Sequence, residues 1–68
     1  MQNVSDYRGW TISVWSRQSH FEAFSADATI KRGDREYRFH EMGSSDSEVA
    51  AIQWTVPWLR HWIDVNVP

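Results

Sequence analysis

Few side chains in this sequence combine a reactive type with a spacing that would let them do chemistry. The three histidines, His20, His40 and His61, fall in a predicted turn, a strand and a helix. None has the HxxxH spacing that puts two imidazoles on one helical face. The hydroxyls of Ser44, Ser45 and Ser47 cluster just before a helix, where capping accounts for them, and no base is placed to activate a nucleophile. Cysteine is absent, which removes thiolate ligands and disulfide staples together. We therefore expect no cofactor, no metal and a non-enzymatic chain, whose chemistry is that of binding.

Two residue sets carry that expectation. The first is Trp54, Trp58 and Trp62, spaced by four in the last quarter of a 68-residue chain with five tryptophans in all. On a helix this spacing makes a slanted aromatic ridge. If Trp54 and Trp58 each left ~100 Å² of apolar surface in water, the forgone burial would be about 2.5 kcal/mol apiece. The ridge is therefore either core or a contact surface for another molecule, most simply a second copy in a symmetric homodimer, otherwise another protein partner.

The second set is Trp15, Arg17, Lys31, Arg38 and His40, with Phe21 beside them, predicted on the outer face of a sheet. Bases interleaved with aromatics suit stacking and phosphate contact with single-stranded nucleic acid. Charge argues against that reading. The formal net charge is −2, and Asp27 and Glu36 share the same face. Residues 1–42 balance six bases with six acids, and beyond them Arg60 faces Asp46, Glu48 and Asp64. Arg32-Gly33-Asp34 spells an integrin-recognition triplet, but these are common turn residues in a chain without signs of secretion.

The elements that must position these residues follow from hydrophobic periodicity. Trp10, Ile12 and Val14 alternate with Thr11, Ser13, Trp15 and Arg17, which reads as a half-buried strand. Arg17-Gln18-Ser19-His20 suits a hairpin connection. Phe24, Ala26, Ala28 and Ile30 then alternate with Ser25, Asp27, Thr29 and Lys31; Arg32-Gly33-Asp34 supplies a turn; and Tyr37 and Phe39 face inward on a third strand. Ser45 and Glu48 have capping-box spacing ahead of an apolar-periodic run. Turning that run by about 100° per residue aligns Ile52, Val56, Leu59 and Ile63, with Thr55, Trp58 and Trp62 beside them and Trp54 furthest round. The apolar arc spans about 200°, wider than one sheet face requires.

Pro57 falls on the opposite, solvent-side face, where it bends a helix rather than breaking it. Asp64 opposes the helix dipole in the last turn, and Arg8 from the sheet would answer it better than Arg60.

The expected architecture is a single α+β domain over residues 1–68: a three-stranded antiparallel meander (about 7–17, 21–32 and 35–42) with one C-terminal helix (about 46–65) on one face, a βββα order. Its expected core is Trp10, Ile12, Val14, Phe24, Ala26, Ile30, Tyr37, Phe39, Ile52, Leu59, Trp62 and Ile63. The opening lacks a secretory leader and no apolar run approaches the roughly 20 residues of a membrane span, so a cytoplasmic setting is expected.

The string Tyr7-Arg8-Gly9-Trp10-Thr11-Ile12, together with Trp62-Ile63-Asp64 at the helix end, resembles a group of short uncharacterised bacterial proteins with a Tyr-x-Gly-aromatic-x-Ile opening and a Trp-Ile-Asp close. The resemblance implies the βββα fold and carries no activity. Pro57 and the tryptophan-rich helix are departures from that pattern.

Overall fold

A computed structural model describes residues 1–20 and 23–67. One antiparallel sheet holds strands β1 (Gln2–Tyr7), β2 (Trp10–His20), β3 (Ala23–Arg32) and β4 (Arg35–Ser45) in sequence order, and helix α1 (Glu48–Asn66) packs on one of its faces. The sheet therefore has four strands where sequence periodicity gives three. β1 was missed because Gln2–Asp6 is almost wholly polar, with no apolar alternation to announce it. It is a strand because Tyr7-Arg8-Gly9-Trp10 closes a two-residue hairpin, with Arg8 at φ 52° and Gly9 at φ 84°, as a type I′ turn requires.

Three further boundaries differ from expectation. Arg17–His20 continues β2 rather than turning, and Arg17 and Gln18 pair with Ser25 and Phe24. Ser45 is still a strand residue opposite Phe24, so the helix cap passes to Ser47, whose Oγ accepts the Ala50 N–H at 3.1 Å. Glu48, freed from a capping box, accepts a hydrogen bond from Ser16 Oγ at 3.1 Å and ties the helix start to β2. The helix runs unbroken through Pro57.

β4 extends past residue 42 because it is bulged twice. Ala28, Ala26 and Phe24 pair with Phe39, Met42 and Ser45, so each two-residue step on β3 is matched by three on β4. Each extra residue sits beside a left-handed position, Glu41 at φ 53° and Gly43 at φ 60°. Asp27, buried on the outer face, holds the first bulge by accepting the Glu41 N–H at 3.1 Å.

The core lies between the sheet and α1. Trp10, Ile12, Val14, Ala26, Ala28 and Ile30 meet Ala51, Ile52, Thr55, Leu59 and Ile63, with Val67 closing the end. Phe24, Tyr37, Phe39 and Trp62 are partly buried against it. Thr55 is tolerated at full burial because its hydroxyl donates to the Ala51 carbonyl at 2.8 Å. No helix among the described residues is long and apolar enough to cross a membrane.

Candidate functional site

The tryptophan ridge is the outer end of a continuous run of aromatic rings along the seam between β4 and α1. Trp10 meets Tyr37 at 5.8 Å between centroids, Tyr37 meets Trp62 at 5.1 Å, and Trp62 meets Phe39 at 5.2 Å, edge to face. Phe39 then meets Trp58 at 5.8 Å, again edge to face, and Trp58 stacks on Trp54 at 6.3 Å with 18° between planes. Exposure rises along the run. Trp10 is buried and Trp62 half-buried, whereas Trp58 is 36% and Trp54 49% exposed.

Trp54 nevertheless has a seat inside the domain. A Cβ on Gly43 would lie 2.7 Å from Trp54 Cε3, so the indole rests on the bare backbone of the second bulge. The bulge and the ledge coincide: the second register shift falls at the glycine that lets the ring approach.

On the outer sheet face the second candidate set is brought partly together. Trp15, 36% exposed, lines a shallow hollow of about 260 Å³ with Thr29, Arg38, His40 and Glu36. Its two arginines are each paired with a carboxylate, and His40 lies near one. Arg17 Nη1 lies 3.3 Å from Asp27 Oδ2, Arg38 Nε lies 2.9 Å from Glu36 Oε1, and His40 Nδ1 lies 3.9 Å from Asp27 Oδ1. Lys31 is exposed, opposite Thr11 and Glu36 toward the β3–β4 turn. Phe21 and the side chain of His20 lie outside the described residues. Arg32 turns its guanidinium onto the Trp10 ring, 5.0 Å from the centroid, which draws the triplet's arginine into the domain.

A third cluster joins the first hairpin to the helix end. Asp64 accepts from Tyr7 Oη at 2.9 and 2.8 Å and from Arg8 Nη1 at 2.7 Å, so Arg8 is the partner its position calls for. The Arg8 hydrogen bond, then that of Tyr7, holds the Asp64 carboxyl below its ordinary value, while the bond to Asp64 raises the Tyr7 phenol. Arg60 stacks on the Tyr7 ring at 5.6 Å. The Tyr7-Arg8-Gly9 and Trp62-Ile63-Asp64 segments, far apart in sequence, therefore meet through this clip.

Sequence reasoning also missed a groove of about 340 Å³ between β1 and the far flank of α1, lined by Asn3, Ser5, Ile52, Val56 and Pro57 among others. Its only sequence signal is the polar opening that hid β1. Among the described residues no three His, Asp or Glu side chains converge as a metal site. No protein-family model, no curated protein and no solved structure matches this chain.

Proposed function

We propose that this chain is a non-enzymatic protein-interaction module whose contact surface is the Trp54–Trp58 ledge, with self-association as its simplest form. The observation that carries this reading is the pair of stacked, half-exposed indoles at the outer end of an otherwise inward-turned aromatic run. Trp is enriched among residues that dominate binding energy, because a flat ring with few torsions loses little entropy on contact. Phe39 and Gly43 hold the two rings from beneath, so the ledge is largely organised before any partner arrives.

Sedimentation at rising concentration, comparing wild type with Trp54→Ala and Trp58→Ala, tests the self-associating form. The expected outcome is a mass that rises with concentration in wild type and less in either variant, with tryptophan quenching by acrylamide falling as the mass rises. A mass insensitive to both substitutions would remove the ledge as the contact.

The alternative is nucleic acid binding through the outer sheet face, which draws on Trp15 beside Arg38 and His40. It is the weaker reading because Arg17 and Arg38 each hold a carboxylate that a phosphate must displace. Oligonucleotide titration at two salt concentrations separates the readings, since phosphate contacts weaken steeply with salt.

A further inference from the structure

The two free edges of the sheet are treated differently by the sequence. β4 carries the devices that stop an edge from pairing: two bulges, two left-handed residues and the charges of Arg35, Glu36, Arg38 and Glu41. β1 carries almost none. It pairs with β2 in unbroken register from Gln2 to Tyr7, without bulge, proline or lysine, and with one charge, Asp6.

The direction of its free backbone groups follows from the hairpin. Tyr7 and Trp10 close a two-residue turn and so exchange both hydrogen bonds, and alternation extends that state to Ser5 and Asn3. The Ser16 N–H donating to the Met1 carbonyl at 3.0 Å fixes the same phase at the other end. The N–H and C=O groups of Gln2, Val4 and Asp6 therefore point outward along the edge.

Side chains there are also unsatisfied. Val4 is 59% exposed on the outer face. On the helix-side face the Ser5 Oγ is buried with no hydrogen-bond partner among the described residues, beside the groove under Ile52, Val56 and Pro57. A buried hydroxyl left unpaired is unfavourable.

We infer that β1 pairs antiparallel with β1 of a second copy, about a two-fold axis through Val4, so that two four-stranded sheets become one of eight strands. The register is self-complementary. Val4 meets Val4 of the other copy, Gln2 meets Asp6, and Asn3 stands opposite Ser5 on the helix-side face. No like charges are opposed. The same operation on β4 about Arg38 would set arginine against arginine. Both helices lie on one face of the joined sheet, and the Trp54–Trp58 ledges, on the β4 flank, point to its two outer ends. The contact is thus independent of the ledge, and the assembly presents two ledges at once.

Because the chain has no cysteine, Val4→Cys supplies a unique probe. A hydrogen-bonded antiparallel pair sets Cα atoms about 5.5 Å apart, within disulfide range. Under oxidised glutathione the variant should give a cross-linked dimer at least about ten-fold above a Lys31→Cys control at the same concentration, since thiols paired on an axis meet at high effective concentration. Val4→Pro is the second arm. The Val4 N–H makes no bond to β2, so proline at this edge position preserves the domain and removes the pairing. Its sedimenting mass should fall by one pairing step with far-UV circular dichroism unchanged, while Trp54→Ala leaves the Val4→Cys cross-link intact. No excess cross-link over the control, or a Val4→Pro chain that is folded and unchanged in mass, would overturn the proposal; loss of the cross-link with Trp54→Ala would assign the association to the ledge instead.

Discussion

The two flanks of α1 solve the same problem in opposite ways. On the β4 flank the strand carries two bulges and the space beside the helix is filled with rings, from Tyr37 and Phe39 through Trp62 to Trp58 and Trp54. On the β1 flank the strand is regular, its helix-side residues Asn3 and Ser5 are small and polar, and a groove remains. Near Tyr7 that flank engages the helix through the Asp64 clip. A sheet edge can be protected by distortion or left as a pairing surface, and the side chains beneath it must match: bulky rings where the strand is bulged, short polar groups where another strand is to lie.

The contrast can be broken most severely at Gly43. Gly43→Ala forces a left-handed alanine and drives its Cβ toward Trp54. The expected loss is ~2–3 kcal/mol, read by urea unfolding, together with greater quenching of tryptophan fluorescence as the ledge lifts. The Val4→Cys cross-link, on the other flank, should persist in the fraction that remains folded.

A smaller change distinguishes the two non-glycine left-handed residues. Glu41→Gly relieves strain at the first bulge, where Asp27 grips only the backbone N–H that glycine retains, and should stabilise by about 0.5–1 kcal/mol. Arg8→Gly relieves similar strain but deletes the Asp64 partner, so it should give less stabilisation or none. Equal gains from the two substitutions would mean that the Arg8–Asp64 pair contributes nothing to folding.

The smallest effect is in pH. The Asp64 carboxyl titrates lower in the folded chain than its ordinary value, so the stability it contributes is present above that ordinary value and is lost as pH falls through the folded one. The Tyr7 phenol titrates higher when folded, so its share is present below the ordinary phenol value and is lost as pH rises through the folded one. Asp64→Asn should flatten the acidic limb of a stability–pH profile slightly, as expected of an exposed cluster. An acidic limb identical in wild type and variant would show that the clip leaves stability untouched.

Much of the fold was legible in the sequence because burial imposes a period. Trp10-Ile12-Val14, Ala26 with Ile30, and Ile52-Leu59-Ile63 could be assigned to the core from spacing alone, and all are buried, whereas Phe24, Tyr37, Phe39 and Trp62, assigned with them, are only partly so. Asp64 could be matched to Arg8 because an acid at a helix C-terminus needs a cation. Gln2–Asp6 was silent for the same physical reason: a strand that buries little side-chain surface leaves no period. The bulges were silent too, because Glu41 at φ 53° has no sequence mark, and Gly43 reads equally well as the turn before a helix.

Spacing by four places Trp54, Trp58 and Trp62 on one side of a helix whatever lies opposite, so that much of the candidate site is written in the chain. How far each is covered is settled by packing between distant segments. That depends on how β4 lies against the helix, which is set by pairings with β3 across the chain and by an Asp27 hydrogen bond to the backbone of Glu41. Local periodicity tells which way a side chain points; contacts between segments distant in sequence determine what it meets.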